Sequence, residues 1–170
     1  MKRTSNASEI RMLILDVDGV LTDGRIGYGE GEEEIKFFDV RDGLGIAMLQ
    51  RAGIEVGLLS GRRSAANLRR AGELGLRVVV QGRSDKCEAF TDILQQYGME
   101  ACQCAYAGDD LIDIPVLTQA GIGFAVADAA PEVKVCADVV CSHPGGRGAV
   151  REIAEWLLKA RGEWECALGR

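Results

Sequence analysis

Six short apolar runs recur along the chain, each followed by a stretch with helical spacing, and this alternation restricts the fold more than any other feature. The runs are Met12 to Asp16, Val56 to Ser60, Val78 to Gln81, Cys104 to Ala107, Gly123 to Ala127 and Asp138 to Cys141. All are short and mostly apolar, as strands covered on both faces are. In the third intervening stretch Phe90, Ile93, Leu94 and Tyr97 fall at i, i+3, i+4 and i+7, with Ser84 placed to cap its start and Gly98 to end it. The last stretch repeats the period through Val150, Ile153, Ala154 and Leu157. The pattern predicts an α/β fold: a doubly wound, mostly parallel sheet of Rossmann type, helices on both faces and right-handed crossovers.

One segment breaks the alternation. Residues 25–38 (RIGYGEGEEEIKFF) place two β-prone arms around Gly29-Glu30-Gly31, which predicts a hairpin directly after the first strand. Glu30, Glu32, Glu33 and Glu34 would make a surface loop soluble, but the position beside a strand end favours a flap. So small a hairpin covers little by itself, so another surface, such as a second subunit, has to complete the cover. With 170 residues the chain is expected to form one domain, 1–170, with no separate cap domain and a loosely held tail from about residue 160.

A net charge of -6 argues against nucleic acid or an anionic membrane surface as a partner, and means that an anionic substrate needs local cations or a metal. No apolar run approaches the roughly 18–20 residues of a membrane span, and residues 1–9 (MKRTSNASE) lack the apolar centre of a signal peptide. A cytoplasmic location is expected, and with it reduced thiols at all six cysteines. Cys102 and Cys104 form C-x-C, which fits packing better than a zinc site.

The chemistry lies in four segments, each at the carboxyl end of a strand or in the turn after one, where α/β sheets hold ligands. Asp16-Val17-Asp18-Gly19 follows the first run and supplies two carboxylates, one able to attack phosphorus and one able to handle the leaving-group proton. Ser60-Gly61-Arg62 follows the second, Lys86 begins the third helix, and Asp109-Asp110-Leu111-Ile112-Asp113 follows the fourth. Singly, Ser60 could be a turn residue, Lys86 a solvated lysine and the acidic loop a helix cap. Together they form a phosphoryl-transfer set.

With DVDGVLT, LLSGR, the lone lysine and GDDLID in this order, the chain resembles the haloacid dehalogenase superfamily of phosphohydrolases from about Arg11 to Trp156. Within it, Asp39-Val40-Arg41-Asp42-Gly43, the short flap and residues 145–152 (GGRGAVRE) resemble the subfamily that acts on 3-deoxy-D-manno-octulosonate 8-phosphate, a sugar-acid phosphate of lipopolysaccharide precursor synthesis. The resemblance implies Asp16 as nucleophile, Asp18 as acid and base, and Lys86 and Ser60 as phosphoryl-holding groups. It also implies Mg²⁺ on Asp16, the Asp18 carbonyl and Asp109, supported by Asp110 and Asp113. A phosphate dianion meets repulsion of about 4 kcal/mol per pair of unit charges at about 4 Å and an effective dielectric near 20, so a hard cation is needed.

The same resemblance assigns substrate contacts to Asp18, residues Asp39 to Gly43, Gly61, Arg62, Arg70 and Lys86. A planar arginine fork suits the sugar's carboxylate. Arg62 favours the octulosonate over a nonulosonate 9-phosphate, whose phosphatases tend to carry glutamate there. Ala47 departs from the pattern, since subfamily members often place another arginine at that position. The subfamily is homotetrameric, its subunits closing one another's sites, and Arg147 is either a neighbour-reaching residue or part of a simple helix start. His143, beside Pro144, fits a loop better than a catalytic base. A phospho-acceptor signalling module is disfavoured because the third strand ends in Gln81-Gly82-Arg83 without a carboxylate.

Overall fold

The computed structural model describes residues 4–31 and 33–169. Its centre is a six-stranded sheet built from β1 (Met12–Leu15), β4 (Glu55–Ser60), β5 (Val78–Gln81), β6 (Cys104–Gly108), β7 (Ile122–Ala125) and β8 (Val139–Val140). The order is β5-β4-β1-β6-β7-β8, and every neighbouring pair is parallel. The chain runs outward from β1 through β4 to β5, then returns to β6 on the other side of β1. That reversal makes a switch point at the carboxyl ends of β1 and β6, where ligands settle in such sheets.

Helices α1 (Val40–Arg51), α2 (Ala65–Glu73), α3 (Lys86–Tyr97), α4 (Ile114–Gln119), α5 (Pro131–Cys136) and α6 (Ala149–Ala160) make the connections and flank the sheet. α1 packs on α6, and α3 on α4. Leu13, Ile14, Leu15, Tyr106 and Phe124 are fully buried between the layers, each large apolar side chain contributing about 1.5–3 kcal/mol. Phe90 meets Tyr106 edge to face at 6.3 Å.

Two local expectations need correction. α3 is capped by Asp85, whose carboxylate accepts the Glu88 N–H at 3.0 Å, and Ser84 lies one residue outside; Gly98 does end the helix, at φ 59°. The chain beyond residue 160 is fastened where a loose tail was expected. Arg161 donates to the Ile10 carbonyl at 2.7 Å, and Trp164, at the start of α7 (Trp164–Ala167), packs against the core. Arg170 lies outside the described residues.

The hairpin is present as β2 (Gly27–Tyr28) paired antiparallel with β3 (Glu34–Ile35). Glu32 falls outside the described residues. Among the described residues no helix is long and apolar enough to cross a membrane.

Candidate active site

Asp16 leaves β1 at its carboxyl end, its N–H donating to the Ala107 carbonyl at 3.0 Å. The chain then turns sharply, with the N–H groups of Leu21 and Thr22 both converging on the Val17 carbonyl at 3.0 Å. Gly19 is required inside that turn: its φ is 102°, and a Cβ there would stand 2.1 Å from Asp109 Oδ2. The turn thereby presses the first aspartate motif against the acidic loop after β6.

Lys86, the first residue of α3, joins the two. Its buried ammonium lies 2.6 Å from Asp16 Oδ1 and 2.6 Å from Asp113 Oδ1. Burial works against that ammonium, but the two carboxylates outweigh it and its pKa is raised. Asp113 is saturated, with Oδ1 also accepting the Tyr106 hydroxyl at 2.6 Å and Oδ2 accepting the N–H groups of Asp109 and Asp110. Asp110 caps the turn by accepting the Leu111 N–H at 2.8 Å. Both residues therefore shape the acidic loop.

Carboxylate oxygens of Asp16, Asp109 and Asp113 lie within 4.8 Å of one another. Burial and the Asp16 and Asp113 charges push Asp109 up to about 8, while burial, opposed by Lys86, pushes Asp16 up to about 6. Asp109 Oδ1 is buried without a hydrogen-bond partner. An orphaned oxygen amid excess negative charge is what a hard divalent cation relieves, so Asp16 and Asp109 fit a metal. Asp113, with its oxygens already engaged, fits a supporting position.

Ser60 closes β4 with its buried hydroxyl oxygen accepting the Arg62 N–H at 3.2 Å, which leaves the hydroxyl proton available. Gly61 is exposed just beyond it. The Arg62 guanidinium pairs with Glu34 of the flap. Arg70 is no solvated helix arginine: its side chain is 17% exposed, lies 5.6 Å over the Phe38 ring and donates to the Asp39 carbonyl. Its Nε is buried without a partner. Gly43 leaves it room, since a Cβ there would sit 2.5 Å from Arg70 Nη2.

The segment 39–43 divides by role. Asp39 caps α1 through the Arg41 N–H at 2.7 Å and pairs with the Arg41 guanidinium, which holds its carboxyl below the usual range. Val40 and Arg41 are exposed. Asp42, expected among the substrate contacts, is buried and turned to α6, accepting the N–H groups of Gly148 and Arg151. It fixes the segment from behind. Arg147 is tied at 3.6 Å to Asp23, and its carbonyl accepts from Arg41. Gly145 and Gly146 are present for close approach, because a Cβ on Gly145 would overlap the Gly19 carbonyl at 1.7 Å. His143 pairs with Glu152 at 2.7 Å, apart from the carboxylates.

Three residues emerge only in the structure. Tyr106 reads as core in the sequence, yet its hydroxyl holds Asp113. Glu34 reads as one of four solvating acids, yet it binds Arg62 and lies 3.7 Å from Lys36. Lys36 carried no signal beyond the charged and apolar alternation of Glu34-Ile35-Lys36-Phe37, yet it reaches Asp18 Oδ1 at 2.6 Å. A cleft of about 620 Å³ between flap and α2 is lined by Tyr28, Glu34, Lys36, Phe38 and Arg70; Asp16, Asp18 and Asp109 are not in its lining, and Lys36 is its link to the aspartate motif.

A parallel sheet carrying a D-x-D turn, a strand-end serine, a helix-start lysine and an acidic loop at its switch point defines a phosphoryl-transfer hydrolase, and residues 70–153 match the haloacid dehalogenase-like hydrolase family. The 3-deoxy-D-manno-octulosonate 8-phosphate phosphatase of Escherichia coli (strain K12) is 46% identical over 166 residues, 98% of this chain and 88% of that protein. The phosphatase of that name from Moraxella catarrhalis, solved with magnesium, phosphate and KDO, has a TM-score of 0.95 at 38% identity, covering 98% of this chain and 96% of its own. The cobalt-bound enzyme of Haemophilus influenzae gives 0.92 at 43% identity, over 97% of this chain and 99% of its own. The chain belongs to the family of 3-deoxy-D-manno-octulosonate 8-phosphate phosphatases.

Proposed function

We propose that the protein hydrolyses 3-deoxy-D-manno-octulosonate 8-phosphate to the free sugar acid and phosphate, with Mg²⁺ as cofactor. The observation that carries this is the setting of Asp16: at the sheet's switch point, 2.6 Å from Lys86, with Asp18 two residues on.

Asp16 attacks phosphorus in line, the bond from phosphorus to the sugar oxygen breaks, and Asp18 passes a proton to that oxygen. Asp18 then takes a proton from water, which attacks the aspartyl-phosphate, releases phosphate and restores the Asp16 carboxylate. Lys86 orients Asp16 and offsets its charge, and the free Ser60 proton serves a phosphoryl oxygen. Asp16, Asp109 and the Asp18 carbonyl would hold the metal. When bound, Mg²⁺ supplies the positive charge that lets a phosphate dianion enter among these carboxylates.

Arg70 lines the cleft and Arg62 reaches its wall through Glu34; both suit the sugar's carboxylate, which replaces Glu34 on Arg62. A homotetramer supplies the cover the flap lacks, and Phe37 and Val40, 78% and 82% exposed at the mouth, give it apolar surface to bury. Arg147 is placed to reach a neighbouring site. The reaction belongs in the cytoplasm, in lipopolysaccharide precursor synthesis.

The test is phosphate release with Mg²⁺ from the octulosonate 8-phosphate, a nonulosonate 9-phosphate and hexose phosphates, compared as kcat/KM. A preference of about 100-fold for the octulosonate, roughly 2.7 kcal/mol of differential transition-state binding, is expected. Equal, low rates on all of them would remove the substrate assignment.

A further inference from the structure

The second arm of the flap alternates. Ile35 and Phe37 face solvent, while Glu34 and Lys36 face the site, the period-two consequence of extended backbone. The Lys36 side chain is 0% exposed. An ammonium so deeply buried persists only where carboxylates replace its lost hydration, and here they are Asp18 Oδ1 at 2.6 Å and Glu34 Oε2 at 3.7 Å. Glu34 in turn holds Arg62. A continuous line of charge, Arg62-Glu34-Lys36-Asp18, therefore runs along the second arm of the flap to the proton-transferring carboxylate.

We infer that Lys36 is a positioning residue for Asp18. Short aspartate side chains on a turn sample several rotamers, and proton transfer demands one, within hydrogen-bond reach of the leaving oxygen. With Oδ1 anchored by Lys36, Oδ2 is the oxygen left for the reaction: its proton goes to the sugar oxygen as the phosphorus–oxygen bond breaks, and a proton from the attacking water returns to it. The flap thus contributes to chemistry as well as cover, because the arm that walls the cleft carries the anchor. This rests on Asp18 being the acid and base.

The experiment compares kcat/KM, which reports the steps up to departure of the alcohol, for the octulosonate 8-phosphate and for p-nitrophenyl phosphate. The nitrophenolate leaves with little help from an acid; the sugar alkoxide does not. Lys36→Met is expected to lower the value for the sugar phosphate about tenfold more than for the aryl phosphate, with Lys36→Arg recovering part of the loss. In an Asp18→Asn background, Lys36→Met should change either value by less than about threefold, since its target is gone. Equal loss on both substrates, or the full loss persisting in the Asp18→Asn background, would overturn the assignment in favour of a flap fastener or a substrate contact. Asp18→Asn alone separates the premise: if it shows no leaving-group preference, the role of Asp18 itself falls, and the Lys36 assignment with it. Circular dichroism of each variant keeps misfolding distinct from either result.

Discussion

Lys86 Nζ lies 2.6 Å from Asp113 Oδ1, the same separation it keeps from Asp16 Oδ1, so one buried cation is shared between the carboxylate that ends β1 and one in the acidic loop after β6. Asp113→Asn should leave Asp16 as the one charged partner of Lys86 and loosen the Asp109 loop, because an amide NH2 in place of Oδ2 cannot accept the Asp109 and Asp110 N–H groups. A fall in kcat/KM of about 10–100-fold is expected, the usual cost of losing a supporting partner of a metal ligand. Lys86→Met strands two buried carboxylates and should destabilise the fold by about 3–5 kcal/mol as well as remove activity. Steady-state kinetics with urea unfolding check both.

Asp16→Asn should lower kcat by about 10⁴-fold or more, as losing a nucleophile does. Stability should hold or rise, because burial already pushes the carboxyl up to about 6 and the amide carries no charge to desolvate. A well-folded variant with full activity, seen by phosphate release and thermal denaturation together, would falsify the nucleophile assignment.

The metal should matter more as pH rises. Asp16 and Asp109 sit at about 6 and about 8, above their ordinary value of 3.8, so the folded state binds their protons more tightly than the unfolded chain does. Metal-free stability is then highest with both protonated and declines as pH climbs from about 4 to about 8. A cation between them reverses that loss. At 100 times its Kd, Mg²⁺ should add about 2.7 kcal/mol, or about 5–10 °C in Tm for a chain of this size, at pH 8 and distinctly less at pH 5. An equal increment at both pH values, measured by calorimetry with and without chelator, would remove these two carboxylates as the metal site.

Asp42 separates a structural role from a contact. Its buried carboxylate accepts two backbone N–H groups at the start of α6, and burial raises its pKa. Asp42→Ala should cost about 2 kcal/mol of stability by orphaning those donors. Activity at saturating substrate should fall only modestly in protein that remains folded; a change confined to KM, without loss of Tm, would instead make Asp42 a substrate contact.

The sheet and the placing of the four polar segments at its carboxyl edge were legible because each depends on local pattern: an apolar run such as Met12 to Leu15, then a polar group at its carboxyl end. What stayed hidden depends on pairing across the chain. Lys86 is 70 residues from Asp16, and only the fold shows that Asp113 claims it too. Lys36 and Glu34 were obscured by composition, since an acid-rich hairpin reads as solubility whether or not two of its charges turn inward. Asp42 was assigned by its neighbours in sequence, yet on a helix one residue is a 100° rotation, which takes it from the mouth beside Arg41 to the face against α6.

The last test concerns Arg62, whose guanidinium is half exposed and spent on Glu34 before substrate arrives. An exposed ion pair of this kind adds little to stability, so the pairing is better understood as occupancy of a carboxylate site. The substrate's own carboxylate then has to displace Glu34, and its advantage is the planar, two-donor match of guanidinium to carboxylate, which lysine lacks. Arg62→Lys should therefore raise KM for the octulosonate 8-phosphate by about tenfold, roughly 1.4 kcal/mol, with kcat and Tm little changed. Simple hexose phosphates, having no carboxylate, should be affected far less. A parallel loss on both classes would place Arg62 at the phosphate end of the substrate and shift the reading of the sugar acid to Arg70, which lines the cleft beside the flap and whose Nε is buried without a partner.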